Sequence, residues 1–403
     1  MTDRSDRTRL IAGATRRTPG QGLGRRPVSP PVERASTLLN DSPAAMRDGS
    51  TGPTYGIEDL TAGRELRAAL AELEGASDVW LVPSGLAAVT VPLTALLTPG
   101  DDVVTTDALY GPTRRFLHRH LKPRGIDTVF HPADASTDAI LSAITHRTKV
   151  LLIESPGSLT FDMADVPALA AACRERGVLT IMDNTWGAGL AFKPLAHGVD
   201  VSVQALTKYA GGHSDLLMGS IAVKNDTVGK PVFETLEDYG WRVTSDDAWL
   251  ALRGLRTLPL RYAEQARSAR IVTDWLLTRP EVADVLWPAL PGSPAHALWS
   301  RDYTGAASLF GLVMKGGDTT SAHALMSALS LFGLGYSWGG FESLITHETA
   351  QLAMRGSPPS LAGELLRLHV GLEDPKDLIA DLEAGLEAWT AAGLQETPSH
   401  SEG

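Results

Sequence analysis

Between Val79 and Tyr209 the chain repeats one unit: a short apolar run, a turn of small or polar residues, then a stretch with helical spacing. VWLVPSGLAAVTVPLTALLTPGDDVVTT reads as strand, turn, helix, turn, strand. KVLLIESPGSLTF, DVPALAAACRERG, VLTIMDNTWGAG and VDVSVQALTKY continue the rhythm. Runs apolar on every position belong to strands covered on both faces, so the pattern predicts a mostly parallel sheet with crossover helices, an α/β fold. In such open sheets ligands gather at the carboxyl ends of strands. Glu154-Ser155-Pro156, Asp183 and Lys208 all fall at those ends. With 403 residues, 43% of them hydrophobic, the chain can bury one large core and a smaller one.

Lys208 follows an alternating apolar run (Val199, Val201, Val203) and precedes Tyr209, Gly211, Gly212 and His213, unlike a lysine on a solvated face. A desolvated lysine loses its proton more easily and becomes a usable nucleophile toward carbonyl groups. Asp183 closes the preceding apolar run, where a buried carboxylate needs a cationic partner. A carboxylate at one strand end and a lysine past the next is the pair that pyridoxal phosphate requires, one for the aldehyde and one for the pyridine nitrogen. Pro83-Ser84-Gly85 opens a helix, so the backbone around Ser84, Gly85 and Leu86 can cradle a phosphate, although any strand-to-helix turn favours such residues. The strand VVTTDALYG is expected to end at Tyr110, whose ring could stack on a flat ligand. Thr207 offers a further hydroxyl suited to phosphate. Arg367, in the apolar strand ELLRLHVGLE, needs a carboxylate: that of a substrate, or Glu373 or Asp374 in a structural pair.

ALTKYAGGHSD resembles the cofactor-lysine segment of the Cys/Met metabolism family of pyridoxal phosphate enzymes, and the likeness runs from about Thr8 to Trp389. The resemblance implies fold type I of the pyridoxal-phosphate-dependent transferases, with a seven-stranded, mostly parallel sheet and a smaller C-terminal α+β domain. It implies pyridoxal 5'-phosphate on Lys208, with Asp183, Tyr110, Ser84, Gly85, Leu86 and Thr207 around it. Substrate binding falls to Arg367, Ser337 and Trp338. Tyr55, in Thr54-Tyr55-Gly56, is implied to reach a neighbouring subunit's site, border the cofactor there and act on the substrate amine; read alone it is equally a packed aromatic. Two departures stand out. Ile57 occupies the place of an arginine that contacts the neighbour's cofactor phosphate, leaving Arg64 as a substitute, and Ala205 stands where a serine is frequent. ESPGS, DNTW, GHSD and YSWGGFESL lean toward the β-eliminating branch, implying cleavage of L-cystathionine or another cysteine S-conjugate. The alternatives are γ-elimination or γ-replacement on homoserine-derived substrates and, from another class, a binding or regulatory protein on this scaffold.

Residues 1–59 lack periodicity and are rich in Arg, Pro, Gly and Ser, as in an arm. The resemblance implies that TRLIAG and PPVERAST wrap a neighbouring subunit, in a homotetramer built as a dimer of dimers. The sheet domain is expected over 60–258, the smaller domain over 259–395 and a flexible tail over 396–403. TAGRELRAALAELEGA reads as a helix with Leu66, Leu70 and Leu73 on one face, stopping at Gly75. A helix is expected from Pro375 to about Trp389. The net charge of −11 argues against general affinity for nucleic acid or anionic membranes. No run of about 18 apolar residues predicts a membrane span, and the arm lacks a secretory h-region, so cytoplasm is the expected location. Cys173, the one cysteine, excludes an internal disulfide and reads as a buried thiol. His118, His120 and His131 have no repeated ligand partners, so no metal site is expected.

Overall fold

Apolar residues on both sides of the strands dictate a sheet covered on both faces, and the computed structural model, which describes residues 4–15, 27–48, 50 and 52–395, has that arrangement. Seven strands form the larger sheet: β1 (Asp78–Val82), β2 (Asp102–Thr106), β3 (Asp127–His131), β4 (Thr148–Glu154), β5 (Leu179–Asp183), β6 (Val201–Ala205) and β7 (Gly219–Val223). Their order is β1-β7-β6-β5-β4-β2-β3. β7 alone runs antiparallel to its neighbours, β1 and β6. Alternate residues of β1, β2, β4 and β5 feed separate cores. Val79, Leu81, Val104, Leu151 and Met182 pack on one face, and Trp80, Val82, Val103, Leu152 and Ile181 on the other.

The helix Thr61–Glu74 buries Leu66, Leu70 and Leu73 and ends at Gly75, whose φ of 67° is the left-handed cap that glycine adopts without strain. Burying each of those leucines contributes about 2 kcal/mol. The helix has no capping side chain of its own; Glu33, from the arm, accepts the Thr61 N–H at 3.0 Å. The helix Gly85–Leu96 is apolar all round because both its faces are buried.

A second sheet follows the helix Leu258–Leu276. It comprises β8 (Val282–Leu286), β9 (Leu309–Met314), β10 (Gly333–Leu334), β11 (Leu344–His347) and β12 (Leu365–His369), in the order β10-β11-β12-β9-β8. All of its pairs are antiparallel except β10–β11. Phe310, Leu312, Leu366 and Leu368 join the core under the first sheet, so hydrophobic packing runs unbroken between the two sheets.

Two expectations need correction. β2 ends at Thr106, not Tyr110: Asp107 N–H reaches back to His131 O and the chain turns away, leaving Tyr110 at the start of the helix Gly111–Phe116. The last helix continues past Trp389 to Gln395. The expected tail, 396–403, lies outside the described residues. Cys173 is fully buried, which pushes its thiol up to about 11. His118 stacks on Phe130 and His120 on Phe116, and no metal-holding cluster occurs among the described residues.

Candidate active site

β5 and β6 are parallel neighbours, so their carboxyl ends lie side by side, and the groups following them share one end of the sheet. Asp183, the last residue of β5, is held by Thr185, whose N–H (3.0 Å) and hydroxyl (2.5 Å) both donate to Oδ1. No hydrogen bond among the described residues reaches Oδ2. Burial raises the acid's pKa, against the lowering effect of Thr185 and Lys208. Glu154 is the register partner of Asp183 on β4. Burial, then the Asp183 charge, push Glu154 well above the usual carboxylate range. Its Oε2 accepts the Tyr110 N–H at 2.6 Å, which fixes the backbone under the Tyr110 ring.

Lys208 lies three residues beyond β6, and its Nζ donates to Ser337 Oγ at 2.6 Å. The same nitrogen stands 5.3 Å from the centre of the Trp338 ring. Desolvation, reinforced by the Arg367 charge and opposed by Asp183, lowers the amine to about 8. Ser337 and Trp338 come from the loop before β11, which is pressed onto the lysine segment: a Cβ on Gly339 would sit 2.7 Å from Tyr209 N and 2.9 Å from Lys208 C. The sequence could not reveal that contact. Its only local signal is the paired glycine of SWGG.

Arg367, in the middle of β12, is largely desolvated and its pKa is lowered accordingly, with Glu348, Tyr110 and Tyr336 as its nearest electrostatic partners. Neither Glu373 nor Asp374 pairs with it. Glu373 accepts from the Ser343 N–H and hydroxyl, and Asp374 from the Lys376 N–H. The partner is Glu348, 3.5 Å away and almost fully buried. Glu348 follows β11, the strand that pairs with β12, so no sequence spacing to Arg367 points to it.

At the opposite edge of the gathering, Ser84 caps the helix Gly85–Leu96 by accepting the Ala87 N–H at 3.1 Å. The N–H groups of Gly85 and Leu86 have no partner within the helix, as for any first turn. Gly85 is obligatory: a Cβ there would lie 2.4 Å from Ala205 Cβ. The Thr207 hydroxyl faces the start of β7, accepting from Met218 N (3.0 Å) and donating to Met218 O (3.2 Å). Tyr110 is 44% exposed.

Tyr55 is not brought to these groups within the chain. It is 54% exposed on the arm, bridged to Thr37, and no hydrogen bond or ring contact joins it to Lys208, Asp183 or Arg367. Arg64 and Ile57 line a separate cavity with Trp80, Phe233 and Trp241, beside the edge strand β1.

The chain is 40% identical over 372 residues to a cystathionine beta-lyase of Bordetella avium, covering 90% of this chain and 93% of that one. It is 39% identical over 365 residues to the cystathionine beta-lyase MetC of Escherichia coli, covering 88% and 92%. Its structure matches the crystal structure of metB from Corynebacterium glutamicum with a TM-score of 0.88 and 26% identity, over 96% of this chain and 98% of that one. The model of the Cys/Met metabolism PLP-dependent enzymes matches residues 12–387, and the chain, with its half-buried lysine and aspartate at or past adjacent strand ends, belongs to that pyridoxal-phosphate-dependent family.

Proposed function

We propose that the protein is a carbon–sulfur β-lyase that cleaves L-cystathionine to homocysteine, pyruvate and ammonia, and accepts other cysteine S-conjugates by the same chemistry. The carrying observation is the Lys208 amine held on Ser337 Oγ past β6, with Asp183 at the end of the neighbouring strand β5, in a chain 40% identical to a cystathionine beta-lyase over nine-tenths of its length.

The residues present fit the cofactor. Asp183 Oδ2 is free to hold the pyridine nitrogen's proton, the Gly85 and Leu86 amides are unspent donors for phosphate, and Gly85 leaves no room for a side chain at that helix start. When bound, the group supplies an electron sink for charge at the substrate α-carbon. Ser84 would add its hydroxyl to the phosphate's surroundings, Thr207 would reach the phosphate only by turning its hydroxyl from Met218 O, and the Tyr110 ring would stack on the pyridine. Arg367 binds the substrate α-carboxylate, with Glu348 keeping its guanidinium oriented. Lys208 Nζ, neutral in a substantial fraction near pH 8, takes the α-proton and returns a proton to the departing sulfur. Ser337 Oγ accepts from Nζ and directs it, and Trp338 walls the pocket. Tyr55, exposed on the arm, serves the site of a neighbouring subunit by accepting a proton from the substrate amine. The active unit is then at least a dimer, and we assign a homotetramer of two such dimers. The arm ends at about 59, with domains over 60–258 and 259–395. No helix of the described residues is long and apolar enough to cross a membrane, and we assign the protein to the cytoplasm.

The test is release of pyruvate and 2-oxobutyrate from L-cystathionine by purified protein with added pyridoxal 5'-phosphate. Pyruvate alone, abolished by Lys208→Ala, is the expected result; 2-oxobutyrate would move the assignment to γ-elimination, and neither product would sink the cystathionine assignment.

A further inference from the structure

Residues two apart on a strand share a face, so His369 lies on the same side of β12 as Arg367. Its imidazole is 1% exposed and packs edge-on against Tyr209, with ring centres 6.0 Å apart. Both ring nitrogens of such a buried group need partners. Nδ1 lies 3.1 Å from Ser308 Oγ. The Ser308 hydroxyl donates its proton to Val370 O at 2.7 Å, so its oxygen can only accept from the ring, and Nδ1 carries the hydrogen. Nε2 is then bare and accepts the Gly339 N–H at 3.1 Å. Nε2 also lies 3.2 Å from Gly340 O, a longer contact than the 2.6 Å bond that this carbonyl accepts from Gln265 Nε2; the tautomer is set at Nδ1, by the Ser308 hydroxyl's bond to Val370 O. Burial lowers this histidine to about 4, so the ring is neutral at ordinary pH.

The amide it holds belongs to an awkward turn. Ser337 has φ of 90° and Gly339 φ of 83°, and a serine persists in the left-handed region only when its surroundings over-determine it. Ser337 is the residue whose hydroxyl receives the Lys208 amine. We propose that His369, in its neutral Nδ1–H form, is a positioning residue: by holding the Gly339 amide it keeps Ser337 turned toward Lys208. The proposal rests on the reading that Lys208 moves the protons of the reaction.

Four holoenzyme variants test it, His369→Gln, His369→Leu, Ser337→Ala and the double Ser337→Ala/His369→Leu, each assayed for pyruvate release and for amide hydrogen exchange of segment 336–342. A glutamine can place an acceptor where Nε2 stands and a leucine cannot. Expected are a kcat within about threefold of wild type for His369→Gln, and a fall of about tenfold or more at unchanged KM for His369→Leu, with faster exchange of the segment only in the latter. Because the effect passes through Ser337, adding His369→Leu to Ser337→Ala is expected to cost no further activity. Losses that multiply, or a folded His369→Gln as impaired as His369→Leu, would overturn the proposal. Should His369→Leu not fold, Ser308→Ala removes the acceptor that sets the tautomer; faster exchange of 336–342 supports the proposal and unchanged exchange overturns it. If wild type releases no pyruvate, the functional reading fails, while the exchange contrast between the glutamine and leucine variants still decides the role of His369.

Discussion

Glu74 is the last residue of the helix Thr61–Glu74 and is 2% exposed, far from any charge exchange with solvent. Ser202 donates to its Oε2 at 3.2 Å, and Gln204 Nε2 donates to its Oε1. The nearest cation, Lys193, spends its hydrogens on Leu73 O and Asp6. Burial therefore dominates and lifts the acid from 4.5 to about 7. In the unfolded chain the same group ionises near 4.5, so the folded state binds the proton more tightly across that interval. The contribution of Glu74 to stability is fully present below pH 4.5, is lost as pH rises to about 7, and is level above it. A gap of roughly 2.5 units at 1.36 kcal/mol each amounts to about 3 kcal/mol. Glu74→Gln removes the titration while preserving the bonding, since the amide oxygen can accept from Gln204 and the amide nitrogen can donate to the Ser202 hydroxyl. The variant is expected to match wild type in urea unfolding at pH 4, below the unfolded-chain value, and to exceed it by up to about 3 kcal/mol at pH 8.5. Other groups titrate alike in both proteins and cancel in the difference. A difference that stays constant between those pH values would refute the reasoning.

Two further outcomes follow from close contacts. Gly85→Ala forces a methyl to within 2.4 Å of Ala205 Cβ, so the helix start must shift; stability should fall by about 1–3 kcal/mol, and a titration of apoprotein with pyridoxal 5'-phosphate should show weakened binding, unchanged affinity counting against the phosphate cradle. Arg367→Lys keeps the charge and loses the two-pronged donor, so KM for L-cystathionine should rise about tenfold or more with kcat changed far less, and an equal loss in kcat would argue against a carboxylate-binding role.

Five strands of the large sheet, β1, β2, β4, β5 and β6, were legible because they are mostly apolar and the last three stop at residues with distinctive chemistry, Glu154, Asp183 and the Ala205–Lys208 turn; the half-exposed edge strand β3 and the reversed β7 were not read. Local patterning carries that information without help from distant parts of the chain. Tyr110 misled because DALYG extends an apolar strand in sequence, whereas Asp107 is drawn into a tight cluster with Arg114 and the Ser357 N–H. The partner of Arg367 was hidden for a different reason. Glu373 and Asp374 are close in sequence, but Glu348 is delivered by antiparallel pairing of β11 with β12, a register that no local spacing encodes. His369 has no local signal in RLHVGLED; its place in the site follows only from its two bonded nitrogens, one on Ser308 and one on Gly339.

The reversed strand β7 also sets the order in which the molecule can be assembled. β1 is hydrogen-bonded to β7 alone, with Asp78 opposite Val223, residues well over a hundred positions apart. As the chain leaves the ribosome, β2 to β6 can pair with one another before β7 exists, while β1, whose ladder is to β7 alone, must wait. Closing so long a loop is slow. A chain halted before Gly219 would carry β2 to β6 and no ladder for β1, the strand that leads into Ser84 and Gly85.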